Sequence, residues 1–298
     1  MTDLKAFGWN SFFESQLTDE ERRSSLVARI VEPLRGLSRA VCVAGEIWAE
    51  HTEKSASGAK TREAVPATGD WVVGGIRDFG GGEKRMTIHR VLTRKNKLSR
   101  AAPGGKGYEQ ILCTNADIAF LVLALTQETN LPSIGRYLEI LNESGIAPVI
   151  VLTKVDAGTD STKLIQSLSE VAPGIPLHSL SVKERRGVDV LKTYFSDNKT
   201  IVLLGASGAG KSTLVNYLLG TETSSVQDVR ESDQKGRHTT TGRRLYSLPY
   251  GGMVIDSPGI REIQKWEGPS AEAEVEVKKK TKGHKHSRAR RSSEEEDD

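Results

Sequence analysis

Two different rhythms of apolar and polar positions divide this chain. Between residues 24 and 92, short apolar runs alternate with turn-rich pieces such as HTEKSASGAK and RDFGGGEKR. The runs are LVARIVE, RAVCVAG, EIWAEH, DWVVGGI and RMTIHRVL. Such runs between turn signals predict strands. Five short strands in a row predict a small all-β barrel of the OB type, a fold that commonly binds RNA or serves as a scaffold.

The second rhythm begins after a basic, glycine-containing stretch, 93–110, that we interpret as a linker. Buried strands then alternate with amphipathic segments, in the order DIAFLVLAL, LPSIGRYLEILNESG, APVIVL, STKLIQSLSEV, TIVLLG and KSTLVNYLLG. This alternation predicts an α/β domain with a parallel sheet wrapped by helices. The predicted organisation is a barrel with its linker (1–105), an α/β domain (106–268) and a charged tail (269–298).

Composition narrows the class of protein. Lys and Arg (42) nearly balance Asp and Glu (39), so the net charge of +3 does not by itself indicate a nucleic-acid partner. The two cysteines, Cys42 and Cys113, are too few for a disulfide framework or a cysteine-based zinc site. The longest clean apolar run, 118–125, is far shorter than the roughly 20 residues that span a bilayer, and no signal-peptide pattern is present. We therefore expect a cytoplasmic protein without a membrane partner.

The strongest motif is GASGAGKST, which follows the predicted strand TIVLLG and opens a helix. A strand, Gly-x-x-x-x-Gly-Lys-Ser and a helix form a phosphate-binding loop, whose backbone N–H groups surround a β-phosphate. Lys211 would reach the β- and γ-phosphates, and the Ser212 hydroxyl would ligate Mg²⁺. An ordinary glycine turn is the alternative. The predicted nucleotide-binding residues here are Gly205, Ala206, Ser207, Gly208, Ala209, Gly210, Lys211, Ser212 and Thr213.

Two later stretches add candidates for the metal and the γ-phosphate. In GGMVIDSPG, Asp256 ends an apolar strand, where its carboxylate could hold Mg²⁺, and Gly259 could donate its N–H to the γ-phosphate. In GRHTTT, we select Thr240 as a further Mg²⁺ ligand, with a threonine-rich strand start as the alternative. The predicted metal ligands are therefore Ser212, Thr240 and Asp256.

A guanine-reading stretch precedes the phosphate loop. TKVD, residues 153–156, follows the predicted strand PVIVL, and ligands bind parallel sheets at the carboxyl ends of their strands. The Asp156 carboxylate can accept hydrogen bonds from N1–H and the amine of guanine, which adenine does not offer. A solvated loop is the alternative. The predicted base-binding residues are Thr153, Lys154, Val155 and Asp156, with Ser181, Val182 and Lys183 as a loop over the base edge.

The order of these motifs is the reverse of the usual one. Base recognition comes first, then the phosphate loop, then the two switch stretches, which predicts a circularly permuted GTPase domain. Permutation leaves a compact domain intact because its chain ends often lie close together. In this order the barrel is joined to the base-reading half, and the switch stretch DSPG leads directly into the C-terminal segment.

These stretches resemble the ribosome small-subunit-dependent GTPase A family of bacteria. The resemblance covers residues 6 to 266 and rests on ATGDWVVGG, IGRYLEILNESGIAPVIVLTKVD, GASGAGKSTLVNYLLG and GRHTTTGRRLYSLPYGGMVIDSPGIRE, in that order. For the fold, the resemblance implies a barrel followed by a permuted GTPase domain. For the function, it implies a late-acting assembly factor that binds the small subunit and hydrolyses GTP when the subunit stimulates it. The implied partners of this monomer are GTP or GDP, and the small ribosomal subunit with its 16S rRNA.

The chain departs from the family pattern in two places. Thr153 stands where the family usually has Asn, so a hydroxyl replaces an amide. The family's C-terminal zinc domain should follow GIREIQKW, but the segment 278–291 holds eight Lys and Arg residues and five acidic residues close the chain. We therefore expect no zinc, and a disordered tail in which His284 and His286 are solvated.

The chemical step needs a group that orients water. Ras-like enzymes use a glutamine directly after Asp-x-x-Gly, but this chain has Ile260 there. His238 is our candidate for that role, so the predicted catalytic residues are His238, Lys211 and Gly259. A structural or solvated histidine is the alternative. Two other functions stay open: an RNA-binding assembly module in which GTP is only a conformational ligand, and a P-loop ATPase or kinase.

Overall fold

The computed structural model describes residues 2–51, 65–80, 83–101, 109–127, 129–157, 161–221 and 243–257. Three of the predicted site residues, His238, Thr240 and Gly259, lie outside these ranges, as do Ile260 and the tail 269–298. Within the described ranges, no helix is both long enough and apolar enough to cross a membrane.

The predicted barrel is confirmed. Five strands close on themselves in the order β1-β2-β3-β5-β4, with β3 and β5 parallel and the other neighbours antiparallel. Their bounds are Leu26–Pro33 (β1), Leu37–Cys42 (β2), Gly45–His51 (β3), Trp71–Asp78 (β4) and Lys84–Val91 (β5). The interior is filled by a mixture of small and large apolar side chains, as is common in small barrels; its members include Ala28, Ala40, Ala49, Ile30, Met86 and Ile88.

A short N-terminal segment packs against the barrel. It consists of a 3₁₀ helix (Leu4–Phe7), α1 (Ser11–Glu14) and α2 (Asp19–Ser24). Helix α2 begins with a capping box in which Thr18 and Glu21 exchange side-chain to backbone hydrogen bonds. Phe13 and Leu17 bury their side chains against Trp71 at the start of β4.

The stretch 93–110, interpreted from the sequence as a linker, contains regular structure. Strand β6 (Lys97–Ala101) pairs with β7 (Glu109–Thr114) in a separate two-stranded sheet. The side chain of Arg100 on β6 donates a hydrogen bond to Gln110 on β7 (3.0 Å). The glycines and polar residues of this stretch concealed its strands from the sequence pattern.

A six-stranded sheet forms the centre of the α/β part, in the order β10-β9-β8-β11-β13-β12. Every neighbouring pair is parallel except β12 and β13. The bounds are Ile118–Ala124 (β8), Ala147–Thr153 (β9), Leu177–Ser179 (β10), Thr200–Leu204 (β11), Arg244–Ser247 (β12) and Met253–Asp256 (β13). The phosphate-loop strand β11 thus lies between β9, which precedes the predicted base-reading stretch, and β13, which precedes the predicted switch stretch. A permuted GTPase domain requires this placement.

Helices cover both faces of this sheet. Helices α3 (Leu131–Glu143) and α4 (Thr162–Val171) pack on one face, and α5 (Lys211–Leu219) packs on the other with the 3₁₀ segment Asp189–Asn198. Strand residues alternate between the two faces: Phe120 and Val122 contact the α5 side, whereas Ala119 and Leu121 contact the α3 side. The sheet is therefore buried on both faces, which explains its near-continuous apolar strands.

The barrel packs against the sheet, and one buried arginine joins them. Arg29 on β1 donates hydrogen bonds to the Thr200 hydroxyl at the start of β11 (3.0 Å) and to the carbonyls of Asn115 and Gly69 (both 3.3 Å). It also donates to the carbonyl of Phe7 in the N-terminal segment. A single guanidinium, with five donors in a fixed plane, thus holds three parts of the chain together.

Candidate functional site

The phosphate loop joins β11 to α5 in a backbone that only glycine adopts easily. Gly205, Gly208 and Gly210 have φ angles of +142°, +78° and +91°. At Gly205 a β-carbon would lie 2.2 Å from the carbonyl oxygen of Val122 on β8, so the loop strand approaches its neighbour too closely for any side chain. These glycines therefore fix the path of the loop and allow its close approach to β8.

The loop ends in an open helix N-terminus. Helix α5 begins at Lys211, and its N-cap residue, Gly210, has no side chain to accept hydrogen bonds from the first turn. The first N–H groups of a helix have no partner within the helix, and their partial positive charge attracts anions. The side chains of Ser212 and Thr213 are exposed at this turn. This arrangement is typical of a phosphate site.

Lys211 turns back over the loop. Its ammonium group donates hydrogen bonds to the carbonyls of Gly205 and Ala206, both at 2.8 Å. Burial lowers the pKa of Lys211, and the nearby Asp256 carboxylate partly offsets that effect by attraction. The ammonium thus lies within the loop, where it can meet an anion.

Two side chains at the ends of neighbouring strands form hydrogen bonds to backbone carbonyls of the phosphate loop. The Thr153 hydroxyl, at the end of β9, contacts the carbonyl oxygens of Ala209 (2.7 Å) and Leu123 (3.1 Å). Gln127, just beyond β8, donates from its side-chain amide to the carbonyl of Ser207 (3.1 Å). Thr153 is one of the residues predicted from the sequence, whereas Gln127 was not predicted, because it belongs to no motif.

The residues predicted to bind the base form a compact turn after β9. Lys154 has a φ of +60°, which turns the chain at the strand end, and a short 3₁₀ turn, Val155–Ala157, presents Asp156. The backbone N–H of Val155 contacts the carbonyl of Leu180 (3.4 Å), so this turn lies beside the loop that follows β10. The two stretches that were predicted to form one base site are therefore neighbours in the structure.

The hydroxyl of Ser181 connects that loop to Asp156. Ser181 is fully buried, and it exchanges two backbone hydrogen bonds with Arg186 (3.0 and 2.9 Å) that close a turn through Val182 and Lys183. The pKa of Asp156 is lowered, chiefly by a hydrogen bond from Ser181, then by its own backbone N–H, with the charges of Lys183 and Arg186 adding to the effect. The carboxylate is thus held ionised as an acceptor.

On the opposite side of the loop, β13 ends at the switch stretch. Asp256 closes β13 half-buried, and the buried Ser257 donates its hydroxyl hydrogen bond to the carbonyl of Leu203 on β11. This bond ties the switch strand to the strand that feeds the phosphate loop. Thr240, Gly259 and His238 fall outside the described residues, so their predicted roles stay predictions.

The oxygen donors at this place suit a small hard cation. Within the described ranges, no group of three or more His, Cys, Asp or Glu side chains could hold a metal ion. Mg²⁺ does not need such a cage, since it is commonly held by one or two protein oxygens together with substrate phosphates. Asp256 is close enough to Lys211 to affect its pKa, and Ser212 is the next residue on α5. The donor set therefore fits Mg²⁺.

Solved structures share this fold. The YjeQ structure from Thermotoga maritima aligns with a TM-score of 0.56 at 23% identity, covering 80% of this chain and 76% of that one. The structure of YloQ, described as a circularly permuted GTPase, aligns with a TM-score of 0.52 at 21% identity, covering 83% of this chain and 76% of that one. These similarities confirm the permuted architecture.

Curated relatives are closer in sequence. The small ribosomal subunit biogenesis GTPase RsgA 2 of Lactiplantibacillus plantarum is 36% identical over 266 residues, which is 89% of this chain and 74% of the relative. The small ribosomal subunit biogenesis GTPase RsgA of Methanosarcina acetivorans is 42% identical over 207 residues, which is 70% of this chain and 55% of the relative. A family profile described as RsgA GTPase matches residues 91–266. The chain belongs to the RsgA GTPase family of GTP-hydrolysing enzymes.

Proposed function

We propose that this protein is a GTP hydrolase that acts late in the biogenesis of the small ribosomal subunit. In this proposal it binds the subunit through 16S rRNA and hydrolyses GTP to GDP and phosphate when the subunit stimulates it. The names of the relatives from L. plantarum and M. acetivorans support the biological role. We further infer that it works as a monomer in the cytoplasm.

The observation that carries the proposal is the convergence of two motifs that stand in reversed order along the chain. The hydroxyl of Thr153, in the base-reading stretch, lies 2.7 Å from the carbonyl oxygen of Ala209 in the phosphate loop. A base site and a phosphate site so joined span the two ends of one nucleotide. The hydrogen bond between Ser181 and Asp156 supports guanine as its base, because an ionised carboxylate accepts from N1–H and the 2-amine.

The phosphates of GTP would lie in the loop 205–213. The N–H groups of the loop and of the first turn of α5 would bind the β-phosphate. The Lys211 ammonium, which donates hydrogen bonds to loop carbonyls in this structure, would donate to β- and γ-phosphate oxygens instead. Gly259 would donate its N–H to the γ-phosphate, and His238 would orient the attacking water in place of the glutamine that Ile260 replaces. Intrinsic hydrolysis should be slow, since isoleucine cannot polarise water.

Ser212, Thr240 and Asp256 would hold Mg²⁺. All three offer oxygen atoms, and Asp256 lies near Lys211 at the end of β13. The ion, when bound with GTP, neutralises charge on the β- and γ-phosphates. The hydrogen bond from Ser257 to Leu203 positions the backbone next to Asp256, so the carboxylate is presented at a fixed distance from the loop.

The test is a multiple-turnover GTPase assay with the full chain and purified small subunits, large subunits or neither. We expect slow hydrolysis without ribosomal particles and a rate at least about tenfold higher with small subunits alone. Lys211→Ala should show no stimulated turnover, since it removes the charge that binds the phosphates.

Three outcomes would overturn the proposal in different ways. Equal rates with and without small subunits, with GTP still bound, would favour an RNA-binding assembly module in which GTP is a conformational ligand. Competition of ATP as strong as that of GTP would favour an ATPase or kinase. Stimulation by large subunits would change the assembly pathway assigned to the protein.

A further inference from the structure

Polar side chains at the ends of the neighbouring strands β8 and β9 contact alternate backbone carbonyls of the phosphate loop. Gln127 follows β8 and donates to the Ser207 carbonyl (3.1 Å), while Thr153 ends β9 and contacts the Ala209 carbonyl (2.7 Å). Both side chains approach from the base-reading side of the sheet.

These contacts also determine the direction of the N–H groups that follow the two carbonyls. In a planar trans peptide the C=O and the following N–H point in opposite directions. A side chain that holds the Ser207 carbonyl on one side of the loop therefore directs the N–H of Gly208 to the other side. The contact with the Ala209 carbonyl does the same for the N–H of Gly210.

We propose that Gln127 is a positioning residue for the phosphates of the nucleotide, acting by orienting the Ser207–Gly208 peptide so that its N–H faces the bound anion. This inference rests on the proposed binding of GTP at this loop. It adds a residue outside the four motif stretches to the nucleotide site.

The contacts of Thr153 explain why a second donor is needed. A threonine hydroxyl carries one proton, and the Thr153 oxygen already lies within hydrogen-bond distance of the Leu123 and Ala209 carbonyls. It has no proton left for the Ser207 peptide. The amide of Gln127 supplies that donor.

Gly208 shows how closely Gln127 approaches the loop. A β-carbon at Gly208 would lie 3.0 Å from the Gln127 side-chain nitrogen, and Gly208 has a φ of +78°. The amide therefore packs directly against the loop backbone at the place where the loop has no side chain. The side chain of Gln127 is itself exposed, and its backbone N–H donates a hydrogen bond to the carbonyl of Ala124 in the turn after β8 (3.0 Å). Changing its side chain should therefore leave the fold intact.

Substitutions at Gln127 separate donor chemistry from size. Gln127→Met keeps a side chain of similar length but has no donor and adds no charge, so the Kd for GDP and GTP should rise about fivefold to tenfold. Gln127→Lys keeps a donor, so its Kd should stay within about twofold of wild type or fall. The matched control is Thr126→Ala, an exposed residue of the same turn, which should leave Kd unchanged.

The experiment titrates the full chain and these three variants with GDP, GTP and IDP, and records thermal unfolding without nucleotide. We expect a weaker phosphate site in Gln127→Met with an unchanged GDP to IDP affinity ratio and an unchanged Tm. Wild-type affinity in Gln127→Met would overturn the proposal, as would an equal loss in Gln127→Met and Gln127→Lys. If wild type itself binds no guanine nucleotide, the proposed function fails instead.

Discussion

At the scale of single residues, the proposed selection of guanine depends on the Asp156 carboxylate. Asp156→Asn replaces one acceptor with a donor, so GTP affinity should fall by about tenfold or more, while the affinity for xanthosine triphosphate, which carries an oxygen in place of the 2-amine, should rise. Competition between the two nucleotides measures the change. GTP binding as tight as that of wild type would remove Asp156 from the base site.

The pKa of the Asp156 carboxylate depends on a hydrogen bond from Ser181. The pKa of Asp156 is lowered, so its acceptor form persists as pH falls and is lost only when the pH passes through the lowered pKa. Ser181→Ala removes the largest cause of the shift, so the acid limb of GTP binding should move to higher pH. Ser169→Ala, whose hydroxyl donates within helix α4, is the control. An acid limb at the wild-type pH in Ser181→Ala would contradict the assignment.

At the scale of elements, the strand–loop–helix unit depends on Gly205. An alanine there would place its β-carbon 2.2 Å from the Val122 carbonyl and would adopt a φ of +142°, so β8 and β11 could not keep their spacing. Gly205→Ala should lower the free energy of unfolding by at least about 2 kcal/mol and weaken GTP binding.

Gly220 offers a matched control for this substitution. It ends the same helix at a φ of +69°, but within the described part of the chain, apart from its sequence neighbours and its own helix backbone, no atom lies within 4 Å of the position of its β-carbon. Gly220→Ala should therefore cost only about 1 kcal/mol, from backbone strain, and should leave GTP affinity unchanged. Chemical denaturation and nucleotide titration of both variants distinguish the clash from the strain; equal losses would show that the close approach to β8 is unimportant.

At the scale of the whole molecule, the barrel contacts the switch strands as well as the base-reading half to which the chain joins it. Val31 and Val41 of the barrel share an apolar cluster with Leu245 on β12 and Met253 on β13. Chain order suggested that the barrel belongs with the base-reading half, whereas packing also places it against the strands that lead to and from the switches.

Arg29 should contribute strongly to that packing. Burial lowers its pKa to about 10, with Asp117 and then Asp70 offsetting part of the effect, so the guanidinium is still charged at neutral pH. Arg29→Met would leave several buried acceptors without their donor, and should lower the free energy of unfolding by at least about 2 kcal/mol. Urea denaturation measures it, with the exposed Arg77→Met expected to stay within about 0.5 kcal/mol of wild type. Equal stabilities would contradict this role.

The charged tail lies outside the described residues, and its role is a prediction. The eight basic residues between 278 and 291 could bind rRNA, or the acidic residues around them could mask them. If the tail binds rRNA, a chain ending at Pro269 should bind small subunits more weakly, and its salt slope should be smaller by roughly 0.7 to 0.9 for each phosphate that the tail neutralises. A salt series with a non-hydrolysable GTP analogue measures both quantities. Identical affinities and slopes would exclude a docking role.

Patterns local in the sequence predicted the fold well. Alternation of apolar runs and turns located the five barrel strands, and longer periodic segments located helices α3, α4 and α5. The motif order predicted the permutation, because each motif can be recognised from a few adjacent residues. The three-residue strand β10 and the pair β6–β7 were missed, because short strands rich in polar residues carry no distinct periodicity.

The sequence by itself determined which residue types stand at the phosphate loop and at the base-reading turn. Only the tertiary structure decided which distant residues contact them: Gln127 contacts Ser207, and Ser181 contacts Asp156. The same is true of Arg29 in the barrel, which contacts Thr200. The physical reason is that periodicity reports local burial, whereas a hydrogen bond between distant residues depends on how the chain returns to the same place. Gln127 and Arg29 therefore look ordinary in the sequence and gain their significance from the sheet that brings their acceptors within reach.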